Sequence, residues 1–440
     1  MDFSKSLSLV ERFHSLIPGG SHTYAKGDDQ YPAHMLPYAA RGKGCRMWDA
    51  DGNEFIEWGM GLRSVTLGHA YPPVVEAARE AMLGGTNFIR PTLIELEAAE
   101  ALLDIIPGAE MVKFSKDGSD AMSGAVRVSR AYTGRDLVAI CGGQPFFSVD
   151  DWFIGTTPMS AGIPQATRDL TVTFRYNDIE SVEQLFDRYP GQLACLVLEP
   201  EKYDPPEDGF LNGLRDLCDR HGTVLIFDEM ITGFRWHLGG GQGFHGVVPD
   251  LSAWGKAMAN GFSVAALAGR KDIMELGGLL HDRERVFLLS GTHAAETHGL
   301  AAAIATMRVY REEPVIETLW RQGQRLADEL LRAIADQGVG EHIQLFGRPC
   351  CLVYGTKDAE GEPSQSFRTL FLQEIMKRGV IAPSLIVSYS HDDEAVDRTV
   401  EAFHGAFGVY RKALREGING YLESRPVQPV WRTFNEYRLG

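Results

Sequence analysis

The stretch TVLIFDEMITGF, residues 223–234, sets the reading of the whole chain. Five mostly apolar residues, Thr223 to Phe227, run into two acids, Asp228 and Glu229. A run that is apolar at every position, not at alternate ones, suits a strand covered on both faces. LACLVLEP (193–200) is a like run upstream, and EMVKFS (110–115) and DLVAICG (136–142) read as further strands. Helical stretches separate these runs, among them SDAMSGAVRVSRAYTG (119–134) and GFLNGLRDLCDRHG (209–222). Strand–helix alternation predicts an α/β fold with a parallel sheet. In such a sheet the functional crevice lies beyond the carboxyl ends of the strands. Asp228 is predicted there, and a buried carboxylate needs a partner. Taken alone, it fits a helix cap or a structural ion pair equally well.

Around this centre the chain divides into three stretches. Residues 1–60 hold a short helix stopped by Pro18-Gly19-Gly20 and a hairpin turning at DADGNEF (49–55). Residues 61–319 form the large α/β unit. From residue 320 to 440, strands IQLFG and CLVYGT and two helices suggest a small α+β domain, joined by the first 60 residues. The 440 residues carry a net charge of −16, which disfavours nucleic acid and anionic membranes as partners. No run is apolar enough to span a membrane. Six cysteines without zinc-like spacing point to a reducing, cytoplasmic setting and no metal.

Lys256, in SAWGKAMANGFSV (252–264), is a lone ammonium among small and apolar residues. Desolvation would lower its pKa and make it nucleophilic enough to form a Schiff base with an aldehyde. An upstream aspartate that can face a pyridinium nitrogen is the matching partner for pyridoxal 5′-phosphate (PLP). FSKDGSDAMSGAV (114–126) adds a strand that turns through Gly118 and Ser119 into a helix, whose free N–H groups can cradle a phosphate. Each signal is weak alone, since Ser or Asp at a helix start is usually a cap. Together, and in this order, they point to a PLP enzyme.

These blocks also carry a family likeness. LIPGGSHTY, RGKGCRMWDADGNEFIEW, AEMVKFSKDGSDAMSGAVRVSRAYTGRD, GTVLIFDEMITGFR, PDLSAWGKAMANG and SGTHAAETHGLAAA resemble the class III (subgroup II) PLP-dependent aminotransferases, within them the glutamate-1-semialdehyde 2,1-aminomutase-like branch. The resemblance covers almost the whole chain. It implies the PLP-dependent transferase fold type I: a large domain with a mostly parallel seven-stranded sheet plus a small α+β domain. It further implies Lys256 as the Schiff-base lysine and Asp228 as the partner of the pyridine nitrogen. Gly118 and Ser119 match the phosphate loop, Met230 packs against the ring, and Glu199 matches a glutamate near the site. Thr292 matches a threonine that reaches the phosphate of a neighbouring subunit, which implies a homodimer with a shared active site.

Two departures bear on the substrate. Where the family has Tyr-His-Gly, this chain has GGQPFFSVDDWF (142–153). Phe146, with Phe147 next to it, is expected to stack on the cofactor; the competing reading is that one of the two phenylalanines is simply core. In the aminomutases an arginine after PGG pairs with the substrate carboxylate, and Lys26 stands there in SHTYAKGDDQYP (21–32). Lysine cannot reproduce a bidentate arginine. His22, Tyr24, Lys26 and Arg63 are candidate substrate contacts that are equally candidates for structural roles. The first expectation is an aminotransferase that moves an amino group from a small-molecule donor, L-glutamate, to a carbonyl of a sugar-like or other small metabolite through pyridoxamine phosphate. The alternative is intramolecular transfer on glutamate 1-semialdehyde, and a third reading is a non-catalytic PLP-binding protein.

Several conspicuous features carry no chemistry in this reading. GQGFHG (241–246) matches GxGxxG but has no dinucleotide-binding surroundings and reads as a Gly-rich loop. His69 and His245 read as structural, and Asp150-Asp151 as a solvated or lid-like loop. The basic, aromatic tail at 425–440 is expected to pack on the body or a partner subunit.

Overall fold

The computed structural model describes residues 1–144 and 146–435. It contains two compact units: one of residues 1–62, 67–71 and 317 onward, the other of residues 63–66 and 72–316.

The larger unit is built on a seven-stranded sheet. Its strands are β1 (Met111–Ser115), β2 (Leu137–Gly142), β3 (Thr171–Arg175), β4 (Leu193–Leu198), β5 (Val224–Asp228), β6 (Leu251–Trp254) and β7 (Ala265–Gly269). They lie in the order β1-β7-β6-β5-β4-β2-β3. The neighbours from β3 to β6 run parallel, and β7 runs antiparallel to both β6 and β1. Every residue of β4, β5, β6 and β7 is buried. This accounts for their unbroken apolar character, because helices cover both faces.

Helix α1 (Gly118–Thr133) follows β1. The Asp117 carboxylate caps it by accepting from the Asp120 amide, and Gly134 closes it in the left-handed region. Helix α2 (Phe210–His221) brings Phe210, Leu211, Leu214 and Leu217 against Leu196, Leu198, Leu225 and Phe227 in one core cluster. The GQGFHG stretch differs from expectation. Most of it lies in a short helix, α3 (Gly240–His245). Its Gly241 and Gln242 amides donate to the Glu229 carboxylate at 2.7 and 2.8 Å, so the buried acid after β5 nucleates a helix out of a glycine-rich run. Helix α4 (Thr297–Glu312) ends just before Pro314.

In the smaller unit, strands Arg46–Asp49 and Glu54–Glu57 form the hairpin around DADGNEF. A second, antiparallel sheet pairs Ile343–Phe346 with Cys351–Thr356. Helices Gln365–Met376 and Asp393–Glu416 share the aromatic cluster of Phe371, Phe403 and Phe407. The described part of the tail packs on this unit: Arg432 pairs with Asp29 at 2.7 Å, and the Val427 amide donates to Thr369. Residues 436–440 of that tail lie outside the described residues. No described helix is long and apolar enough to cross a membrane.

Candidate active site

The carboxyl ends of three neighbouring parallel strands bring the central residues together. Leu198 on β4 is in register with Phe227 on β5, so Glu199 and Asp228 follow side by side. Asp228 is itself in register with Ala253 on β6, three residues before Lys256. Two acids and one lysine thus converge at one edge of the sheet, where an open α/β fold places its ligands.

Lys256 opens a tight 3₁₀ turn, Lys256–Ala259, with φ of +47°. A non-glycine residue in the left-handed region costs about 1–3 kcal/mol and persists only where the surroundings over-determine it. They do so here, because Ala257, Met258 and Ala259 are fully buried and the Met258 amide bonds Gly255 at 3.1 Å. The backbone is pinned while the lysine side chain keeps partial exposure. Burial lowers the lysine's pKa. The negative charges of Asp228 and Glu199 pull it back up, and the positive charges of Arg63 and Arg235 reinforce the lowering. Asp228 is pushed well above the usual carboxylate range, by burial first and then by the charge on Glu199. Its Oδ1 accepts from the Met230 amide at 2.9 Å.

Gly118 and Ser119 are the first residues of α1, whose leading amides find no partner within the helix. A Cβ on Gly118 would meet the Sδ of Met230 at 3.0 Å, and one on Gly255 would meet it at 2.7 Å. The methionine is therefore bounded by the phosphate-loop glycine and by the residue before Lys256. Ser119 Oγ accepts from the Val149 amide at 3.1 Å, fastening the helix start to the loop after β2. That loop is further secured by Ser148 on Ser123 at 3.0 Å and by Trp152 Nε1 on Ser123 at 3.0 Å. It carries the two phenylalanines in different settings: Phe147 is 1% exposed, Phe146 46%. Phe146 is the more exposed ring and meets Phe153 edge-on at 5.9 Å between centroids, and Phe147 belongs to the core.

Of the remaining candidates, Arg63 bears on Lys256 through its positive charge. Arg63 has φ of +73°, and its carbonyl accepts from the buried Arg235 guanidinium at 2.6 Å. Thr292 is exposed, and its carbonyl accepts from Asn87 at 3.0 Å. His22, Tyr24 and Lys26 are exposed residues of the smaller unit. His69 pairs with Glu57 at 2.6 Å and His245 with Glu201 at 2.9 Å, and no cluster of metal-ligating residues occurs among the described residues.

Sequence reasoning passed over Gln144 and Lys202. The Gln144 side chain clasps the Glu199 backbone, donating to its carbonyl at 2.9 Å and accepting from its amide at 2.8 Å. Lys202 Nζ lies 3.2 Å from Glu199 Oε1. Both sit in polar loop sequence that looks solvated, and only tertiary packing reveals their burial.

A half-buried lysine of lowered basicity, a buried acid one strand away, helix-end amides and a half-exposed aromatic ring match the donor set that PLP requires. The fold is that of a PLP-dependent transferase of fold type I. Residues 28–406 match the Aminotransferase class-III family, and the chain belongs to it. Curated relatives include the glutamate-1-semialdehyde 2,1-aminomutases of Desulforamulus reducens, 32% identical over 94% of this chain and 99% of the relative, and of Acetivibrio thermocellus, 34% identical over 91% and 97%. Among solved structures, the PLP-bound FumI protein of Sphingopyxis sp. MTA144 superposes with a TM-score of 0.85 at 27% identity, covering 96% of this chain and 98% of that one. An omega-transaminase from Sphaerobacter thermophilus gives 0.83 at 29% identity, covering 92% and 97%. The protein is an enzyme that uses PLP and acts on small-molecule substrates.

Proposed function

We propose that the enzyme is an aminotransferase that moves an amino group from L-glutamate to the carbonyl of a sugar-like or other small metabolite, acting as a homodimer with Thr292 completing the partner's site. The observation that carries this reading is the adjacency of Asp228 and the strained, weakly basic Lys256 at the ends of β5 and β6. When bound, PLP supplies an aldehyde for the amine and a ring that withdraws electrons from the substrate carbon. Asp228 would keep the ring nitrogen protonated. Lys256 would hold the cofactor through its amine and, when free, would move a proton to or from the substrate carbon. Gly118 and Ser119 receive the phosphate at the start of α1. Met230 and Phe146 bound the ring.

Intramolecular amino transfer is the second reading, favoured by the names of the curated relatives. Lys26 in place of an arginine, and Phe146 in place of a tyrosine, favour the first. A crossover experiment separates them. Transfer of ¹⁵N from labelled L-glutamate to an added carbonyl acceptor, with release of 2-oxoglutarate, is the expected result. Conversion of glutamate 1-semialdehyde without any exchange of label would establish the second reading instead.

A further inference from the structure

Glu199 and Asp228 end adjacent parallel strands in register and are only 3% and 4% exposed. Neighbouring strands lie about 5 Å apart. Two buried carboxylates at that spacing cannot both stay ionised without a counter-charge, because each raises the other's affinity for a proton. Every titratable group facing Glu199 therefore matters. From the end of β5 comes Asp228 itself; Glu229, next in the chain, bears on Asp228, and its carboxylate is already met by the Gly241 and Gln242 amides and the Thr232 hydroxyl. From β2 comes Cys141, whose thiol is pushed up to about 12 by burial and then by the charge on Glu199, and which therefore stays neutral. From the loop after β6 comes Lys256, whose amine must give up its proton to act as a nucleophile and so is no permanent cation. Arg63 and Arg235 bear on Lys256.

Lys202 remains. It lies in the turn just after β4, is 8% exposed, and places its Nζ 3.2 Å from Glu199 Oε1 and 5.1 Å from the ring centre of Tyr203. The backbone of the acid it meets is held by the Gln144 side chain. The second carboxylate oxygen, Oε2, is buried with no hydrogen-bond partner. Lys202 thus makes the one ion pair to Glu199 found among the described residues.

We propose that Lys202 is a positioning residue for the cofactor: it is the standing counter-charge of Glu199, which leaves Asp228 as the one acid of the pair that answers to the ring nitrogen. The inference rests on the reading that Asp228 faces the pyridine ring. It concerns a side chain that never touches the substrate.

The test is a pH titration of the holoenzyme's cofactor absorbance and visible circular dichroism, in wild type, K202M, K202R and the K202M/E199Q double variant. Without its cation the two adjacent acids lack a standing counter-charge, so K202M acquires an extra titration step in the cofactor spectrum. K202R restores the wild-type profile, and K202M/E199Q loses the step. A thermal-melt series on the cofactor-free chains reports the ion pair independently: K202M melts lower than wild type, increasingly so as pH rises, and the double variant recovers. A K202M spectral profile identical to wild type, or a step that survives E199Q, overturns the proposal. A wild-type chain that develops no cofactor spectrum at all overturns instead the reading on which it rests.

Discussion

The sulfur of Met230 lies 2.7 Å from where a Cβ on Gly255 would stand and 3.0 Å from one on Gly118. Gly255, just before Lys256, and Gly118, the first residue of α1, are thus both glycine for the same reason: one methionine fills the space that either side chain would need. Gly255→Ala forces Met230 off its position, at a cost of about 1–3 kcal/mol for overpacking a tight site. The variant is expected to melt lower and to retain less PLP after gel filtration. Adding Met230→Ala should recover part of the melting temperature. A single variant as stable as wild type would contradict the packing account.

The two phenylalanines after β2 predict opposite phenotypes. Phe147 is a core ring against Phe153, at 5.5 Å between centroids, and Phe147→Ala should cost about 3–5 kcal/mol of stability. Phe146 is half exposed. Phe146→Ala should leave the cofactor-free melt nearly unchanged and weaken PLP binding by about 0.5–1.5 kcal/mol, the worth of one aromatic stacking partner. Calorimetric melts and a PLP binding isotherm on the two variants check both halves.

Acid sensitivity should trace in part to His391. The ring is buried, stacks on Trp58 at 3.8 Å, and accepts at Nδ1 from the Ser388 amide. Burial pushes its pKa down from 6.5 to about 3. The folded chain therefore keeps the ring neutral while the unfolded chain protonates it. Its contribution to stability is complete above 6.5 and is lost progressively as pH falls toward 3. The slope is about 1.4 kcal/mol per pH unit. His391→Asn, which keeps an acceptor for Ser388, should be less stable at about pH 8 because the stacking is gone. It should lose about 2 kcal/mol less than wild type between about pH 8 and about pH 5. Parallel acid-loss curves for the two proteins would remove His391 as the cause.

How much of this was legible beforehand depended on whether local sequence and tertiary setting agreed. β4 and β5 were plain because LACLVL and VLIFD are apolar at every position up to the closing acid. β7 was not, because AALAG is made of small residues without strand preference, and only pairing on both edges makes it a strand. Lys256 and Asp228 stood out by their order and spacing, and the register of β5 with β6 sets Asp228 opposite Ala253, three residues before Lys256. Lys202 was hidden because EPEKYDPPEDG reads as a charged, solvated loop. Nothing in that composition says that one cation folds inward onto Glu199. The GQGFHG stretch reads as loop because glycine disfavours helix, yet Glu229 supplies the carboxylate that starts one.

The central claim is that Lys256, and not another buried amine, carries the cofactor. Borohydride reduction of the holoenzyme, followed by peptide mapping, tests it most directly, since reduction fixes the bound cofactor to its lysine. The account predicts a single modified peptide containing Lys256, and no modification in Lys256→Ala. A label on Lys202, or a Lys256→Ala protein that is still labelled to the same extent, would contradict it.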